Sequence, residues 1–87
     1  MLTEMKYVVV DAEGDEQLFI FPKTIDHDRF ADVLNFIKVG HDRDWKRIYR
    51  KPISAGFTDG VTCYGRSESL HLESRKQDTL LLRGQYE

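Results

Sequence analysis

The sequence is poor in cysteine, in proline and in long apolar runs. Among its 87 residues Cys63 is the only cysteine, so no disulfide can form within the chain and a secreted disulfide scaffold is excluded. The longest apolar runs, 7–10 and 18–21, have four residues each, whereas a membrane-spanning helix needs about 20. The first residues also lack the pattern of a signal peptide. We therefore expect a cytoplasmic protein that does not enter a membrane.

The length of 87 residues suits one domain, and we predict that residues 1–87 form it. A domain of this size buries roughly 60–65% of its unfolded surface, which leaves its stability marginal. Small domains are often stabilised by disulfides, metals or self-association. Because the first is excluded and no metal cage is evident, a homodimer is the expected support. The formal net charge of −2 does not by itself favour nucleic acid.

Residues 5–10 and 17–21 predict a β-hairpin. Both segments are rich in β-branched and aromatic side chains, and the loop between them contains the turn formers Asp and Gly. Both are apolar at odd and at even positions, as in the run 7–10. A sheet with one wet face would alternate instead. We expect both faces of this hairpin to be covered, by helices or by another copy of the chain.

One amphipathic helix is predicted over 26–39. Thr24 or Asp26 can cap its N-terminus, and Gly40 lies where a helix commonly ends. A single helical stripe with the spacing i, i+3, i+4, i+7 consists of Phe30, Val33, Leu34 and Ile37. These side chains are expected to pack on the hairpin.

A second hairpin is predicted from segments 46–57 and 61–64, with the turn at 58–60. Pro52 keeps its strand from a central place in the sheet or marks a bulge. Residues 65–72 are either a loop or a short strand. Ser74 and Gln77 have capping-box spacing and predict a short helix that carries Leu80, Leu81 and Leu82 and ends at Gly84. The expected order is ββα-ββ-α, an α+β fold with an antiparallel sheet.

Two clusters of histidine and aspartate flank the predicted helix, at 26–28 and 41–44. Such residues can ligate a divalent metal, but the clusters would lie about 20 Å apart along the helix. Asp26 and Asp28 also suit the positive end of a helix. We expect no metal site.

No catalytic or cofactor motif stands out. The run 65–69 resembles a nucleophile elbow around Ser67 but lacks the final glycine and the strand-to-helix context. Ser67 and Ser69 are therefore predicted to be turn and cap residues, and Cys63 to be a small buried side chain. The glycines form no phosphate-binding motif. We expect no enzyme and no cofactor.

Charge is segregated along the chain. Residues 11–16 hold four acids and no base, whereas residues 43–51 hold five bases against Asp44 alone. Arginine beside aromatic residues suits an acidic protein surface, a nucleic acid or a solvated edge strand protected by its charges. We favour a protein partner and keep nucleic acid as the alternative. The candidate partner-binding residues are Arg43, Trp45, Lys46, Arg47, Tyr49, Arg50 and Lys51.

The segments Gly65-Arg66-Ser67-Glu68-Ser69-Leu70 and Asp78-Thr79-Leu80-Leu81, with Ser74 and the opening Lys6-Tyr7-Val8-Val9-Val10-Asp11, carry a resemblance. The chain resembles small uncharacterised proteins of bacteriophages and prophages. That resemblance implies a bacterial or phage origin and no particular activity. It adds weight to a protein partner, since such accessory proteins often act by binding a host protein.

Overall fold

Two helices pack on an antiparallel sheet, which confirms the α+β class. The computed structural model describes residues 4–12, 14–34, 36–38, 45–47 and 50–86. The strands are β1 Met5–Ala12, β2 Asp15–Phe21, β3 Phe36–Lys38, β4 Trp45–Arg47, β5 Lys51–Thr58, β6 Cys63–Tyr64, β7 Arg66–Ser67 and β8 Leu72–Glu73. The helices are α1 His27–Val33 and α2 Lys76–Tyr86.

The main sheet has the strand order β2-β1-β5-β6, and β3–β4 and β7–β8 form separate two-stranded pairs. The predicted first hairpin is confirmed, with Val9 opposite Leu18. Its turn passes through Gly14 at φ 89°, a backbone conformation that glycine adopts without steric cost. The Gly14 N–H donates to the Asp11 carboxylate at 2.9 Å. The Asp11 carboxylate therefore helps to shape the hairpin tip.

Both faces of the hairpin are covered, as its continuous apolar run predicted. One buried cluster, against which Phe30 of α1 and Leu72 of β8 also pack, consists of Val8, Val10, Phe21, Leu34 and Ala55. The cluster on the opposite face consists of Tyr7, Val9, Leu18 and Leu82. Burial of apolar surface on both sides of β1 is the main source of stability in so small a domain. Since the chain covers both faces itself, the sheet does not require a second copy, and the homodimer stays a prediction.

The predicted helix 26–39 is wrong at its C-terminal end. Helix α1 ends at Val33, whose side chain is 64% exposed, and Ile37 lies in β3 instead of on the helical stripe. Antiparallel pairing of β3 with β4 supplies backbone hydrogen bonds that compete with continuation of the helix. The Arg50 guanidinium also donates to the Leu34 carbonyl, which gives the helix end a partner. Gly40, the predicted helix end, lies outside the described residues.

The second hairpin is confirmed as β5–β6, with Phe57 opposite Tyr64. Strand β5 lies inside the sheet, so the expectation that Pro52 keeps its strand from a central place is wrong. The alternative is confirmed, because Pro52 lies at a bulge where the register with β1 shifts. Gly56 is required by close packing, because a Cβ there would collide with the Tyr64 carbonyl oxygen. The sheet is therefore tightest where β5 meets β6.

The C-terminal third differs from the prediction in three details. Residues 65–72 contribute a short hairpin, β7–β8. Helix α2 extends to Tyr86, beyond Gly84, where we expected it to end. At its start the Asp78 carboxylate, and not the expected capping box, accepts the Arg75 backbone N–H at 3.0 Å. The helix is thus tied to the rest of the fold through a buried acid.

Candidate protein-binding site

Strand β2 is one of the two outer strands of the main sheet in the part of the chain that the structure describes, and β6 is the other. The side-chain amide of Gln85 on α2 bonds the backbone of Leu18 on this strand. Its Oε1 accepts the Leu18 N–H at 2.8 Å and its Nε2 donates to the Leu18 carbonyl at 2.7 Å. An adjacent strand would make the same pair of bonds. At Leu18 the outward edge of β2 is therefore occupied by a side chain that bonds as a strand would.

A cleft of about 550 Å³ opens between β2 and α2. Its apolar lining comes from Phe19 of the strand and from Leu80 and Leu81 of the helix. Leu80 is 70% exposed, whereas Leu82, on the inner face of the same helix, is 2% exposed. The cleft thus presents an uncovered leucine beside a strand edge, a combination typical of surfaces that bind another protein.

The rim of the cleft is acidic. Asp15 and Glu16 line it at the hairpin tip, and no lysine or arginine is among its described lining residues. Glu16 accepts from the Arg75 guanidinium at 2.8 Å, and Asp15 accepts from the Gln17 amide at 3.3 Å. Asp15 is exposed and lies at the beginning of the strand. A partner with cations near this tip would be electrostatically favoured.

A buried polar network anchors the first turn of α2 beneath this site. Asp78 is fully buried and accepts from the Tyr7 hydroxyl at 2.7 Å and from Arg75 Nε at 2.9 Å. Burial and the hydrogen bond from the Tyr7 hydroxyl to Asp78 hold the pKa of Tyr7 far above its ordinary value. The hydroxyl therefore stays protonated and acts as a donor. The network fixes the start of α2, and Gln85 attaches its end.

The predicted partner-binding segment is described only in part. Arg43 and Tyr49 lie outside the described residues, and Trp45, Lys46 and Arg47 are described as the strand β4 without their side chains.

Its last two residues have different settings. Arg50 is half-buried and donates to Leu34 at the end of α1, so it has a structural role. Lys51 is exposed at the beginning of β5 and lies opposite Asp11 in the register. A binding surface formed by the basic and aromatic residues of segment 43–51 stays a prediction.

A second groove, of about 590 Å³, borders His27 and is lined by both charges, including Lys6 and Glu68. His27 is 4% exposed. Its Nε2–H donates to the Gly56 carbonyl at 2.9 Å in the tautomer that satisfies both groups. Burial lowers the pKa of His27, which favours the neutral ring in that bond. Edge-to-face contacts with Phe21 and Phe57 complete its surroundings, so His27 belongs to the core.

The residues of the incomplete nucleophile elbow form a turn. Ser67 is fully buried and its Oγ accepts the Leu70 N–H at 3.2 Å. Ser69 Oγ accepts the Asp28 N–H at 3.2 Å and so ties this turn to α1. Cys63 is half-buried, and burial raises the pKa of its thiol to about 11, which keeps it protonated and weakly nucleophilic at neutral pH.

Within the described ranges, no group of three or more His, Cys, Asp or Glu side chains is arranged to hold a metal ion. Of the helices in those ranges, none is long and apolar enough to cross a membrane. A comparison of the chain with known protein families, with curated proteins and with solved structures finds no match. The fold and the cleft therefore define the class on their own: an α+β domain whose four-stranded antiparallel sheet has β2 and β6 as its outer strands in the described residues.

Sequence reasoning missed the cleft because its two sides are far apart along the chain. Leu18 and Gln85 are separated by 67 residues, and neither local pattern indicates the other. One signal was present in the run Leu80-Leu81-Leu82. Three consecutive helical residues point about 100° apart, so they cannot all face the same core. At least one of these leucines had to be exposed or to contact a partner.

Proposed function

We propose that the protein is a non-enzymatic binding module that holds a partner protein in the cleft between β2 and α2. The observation that carries this proposal is Leu80, 70% exposed at a concave surface of about 550 Å³. An exposed apolar side chain that lines a cleft gains free energy when a partner removes it from water. The exposed Leu80 at this cleft supports protein contact, the function favoured from the sequence, although the sequence indicated segment 43–51 as its surface.

The chemistry of the cleft indicates an apolar partner segment with positive charge. Leu80 and Leu81 offer apolar contact, and the carboxylates of Asp15 and Glu16 form one end of the lining. Opposite charges across an interface accelerate encounter and suppress wrong partners. An acidic partner would meet like charge here and is disfavoured at this surface.

A peptide selection tests this proposal. The full chain is immobilised, a randomised library of peptides is selected on it, and the affinities of the enriched peptides are measured by titration. We expect Leu80→Asp to weaken binding at least tenfold, because it replaces the apolar contact with a charge. Val33→Asp is the matched control, since Val33 is 64% exposed on the other helix. Equal affinities for wild type and Leu80→Asp would contradict the proposal.

The second candidate is nucleic-acid binding through the basic and aromatic segment 43–51. It is supported by five bases in nine residues and by the exposure of Lys51. The nucleobases of a single strand would stack on Trp45 or Tyr49 while the lysine and arginine side chains contact its phosphates. The net charge of −2 ranks this function below protein binding.

We also propose a cytoplasmic setting, a bacterial or phage origin and a homodimer. The lone Cys63 supports a reducing compartment, and the resemblance to phage and prophage proteins supports the origin. The small size of the domain supports self-association. Light scattering at increasing concentration tests the dimer, and a constant monomer mass would contradict it.

A further inference from the structure

The bond between Gln85 and β2 has two features of a displaceable contact. Gln85 is exposed although it makes both hydrogen bonds to Leu18. It also lies in the last turn of α2, where helices fray. Water or another amide can therefore exchange with the Gln85 side chain without opening the core.

Gly84 loosens this end of α2 further. It lies inside the helix, and a Cβ at this position would meet nothing within 4 Å. Close packing therefore does not require a glycine. Glycine weakens a helix interior relative to alanine because its unfolded backbone is more mobile. The turn that carries Gln85 is thus held less firmly than the turn fixed by Asp78.

We propose that the partner binds by adding an extended strand to the edge of β2 and that this strand displaces Gln85. This inference rests on the proposed function and specifies its binding mode. The added strand takes over the bonds to the Leu18 N–H and carbonyl, as in other complexes formed by strand addition. Its side chains alternate between two faces: apolar side chains on one face contact Leu80 and Leu81, and basic side chains on the other approach Asp15.

The strand comes from another protein and not from a second copy of this chain. Pairing β2 with the same strand of a second copy would displace two Gln85 side chains for one set of new bonds. It would also bring together two chains of net charge −2. A basic segment displaces one Gln85 and gains attraction to Asp15, since Glu16 is already paired with Arg75.

The test uses three synthetic peptides of nine residues on the full-length chain. The first alternates lysine and valine, the second alternates glutamate and valine, and the third is the lysine peptide with alternate amides N-methylated. We expect the lysine peptide to bind and the glutamate peptide not to bind. N-methylation of the amides that face β2 should weaken binding at least tenfold, since it keeps the charge but removes the donors.

Two variants of α2 then identify the role of Gln85. Gln85→Ala should bind the lysine peptide about tenfold more tightly, because the Gln85 side chain no longer has to be displaced. Gln77→Ala, an exposed glutamine in the first turn of the same helix, is the matched control and should bind as wild type does. Gly84→Ala should firm the last turn, slow hydrogen exchange at the Leu18 amide and weaken peptide binding.

Three results would overturn the inference. Equal binding of the N-methylated peptide would show attraction by charge alone. Equal affinity of Gln85→Ala and Gln77→Ala would make Gln85 a tie for α2 and nothing more. A dimer strengthened by Gln85→Ala would identify a second copy as the occupant. Peptides from the randomised library that still require Leu80 would, in each case, leave the proposed function standing.

Discussion

Removal of the Asp78 carboxylate should be among the most damaging single changes in the domain. Asp78 is fully buried and accepts hydrogen bonds from the Tyr7 hydroxyl and from the backbone and guanidinium of Arg75. Asp78→Ala leaves the guanidinium, about a quarter exposed, without this partner. Because Arg75 keeps Glu16 as a partner, the cost should lie at the lower end of the range of about 3–5 kcal/mol that breaking a buried charge pair requires. A domain of this kind is stable by about 5–15 kcal/mol in total.

Tyr7→Phe measures one part of the same network. The change removes one hydroxyl that donates to a charged acceptor at 2.7 Å, and such bonds contribute about 1.5–3 kcal/mol. The Asp78 carboxylate keeps Arg75 as a partner, so the loss should be smaller than in Asp78→Ala. The unfolding free energies are obtained from urea titrations followed by circular dichroism. With a slope of about 1 kcal/mol per molar urea, Tyr7→Phe should lower the midpoint by about 1.5–3 M.

Asp32→Ala is the control for loss of a carboxylate, because Asp32 is an exposed acid on α1. It should change the unfolding free energy by no more than about 0.5 kcal/mol. If Asp78→Ala costs no more than Asp32→Ala, the buried network does not hold α2 to the sheet and the reasoning is refuted.

Three further predictions concern other parts of the chain. Burial lowers the pKa of His27 in the folded protein, so the neutral ring contributes its full stability above the unfolded pKa of about 6.5 and that contribution is lost as the pH falls from there through the folded pKa. In urea titrations His27→Gln should therefore lose less stability than wild type between pH 7 and 5. Phe30→Ala removes a half-buried ring that stacks on Phe21 of the sheet and should lower the free energy of unfolding by about 2–3 kcal/mol, below the range for fully buried phenylalanines. A decrease under about 0.5 kcal/mol would contradict its place in the core. We expect fluorescence anisotropy to detect no nucleic-acid binding by segment 43–51. If such binding exists, its affinity would fall steeply with salt and be lost in the double variant Arg47→Ala, Lys51→Ala, which leaves intact Arg50 and its bond to the end of α1.

Burial of the first hairpin could be predicted from the sequence because it depends on side chains alone. The run from Tyr7 to Val10 has no polar position, so either face would expose apolar surface if left open. The structure covers one face with α1 and the β7–β8 hairpin and the other with α2. The identity of the covering elements was left open between helices and a second chain, because periodicity does not reveal which segment packs where.

The end of α1 could not be predicted from the same kind of pattern. Phe30, Val33, Leu34 and Ile37 satisfy the helical spacing, but the decisive contacts are not local. Strand β3 pairs with β4 across a gap in sequence, and the Arg50 guanidinium reaches back to Leu34. Such tertiary contacts override a helical preference that is worth only a few tenths of a kcal/mol per residue.

The candidate site indicated by the sequence is the basic segment 43–51, whereas the cleft found in the structure has an acidic rim. The sequence indicated residues 43–51 because bases and aromatic residues cluster there, and that surface stays a prediction. The acidic tip around Asp15 was noted only as its counterpart. It acquires significance from Leu80 and Gln85, which approach β2 through the packing of α2. A composition bias in one segment thus predicts a kind of partner but not the surface that receives it.

Mapping of backbone amide shifts by NMR tests the central claim most directly. The full-length chain, labelled with ¹⁵N, is titrated with a peptide enriched in the library selection, and the amides that shift are assigned. We predict that the largest shifts occur along β2, at the Leu18 amide above all, and in the last two turns of α2. Shifts confined to segment 43–51 or to the groove around His27, with β2 unaffected, would contradict the assignment of the cleft as the binding site.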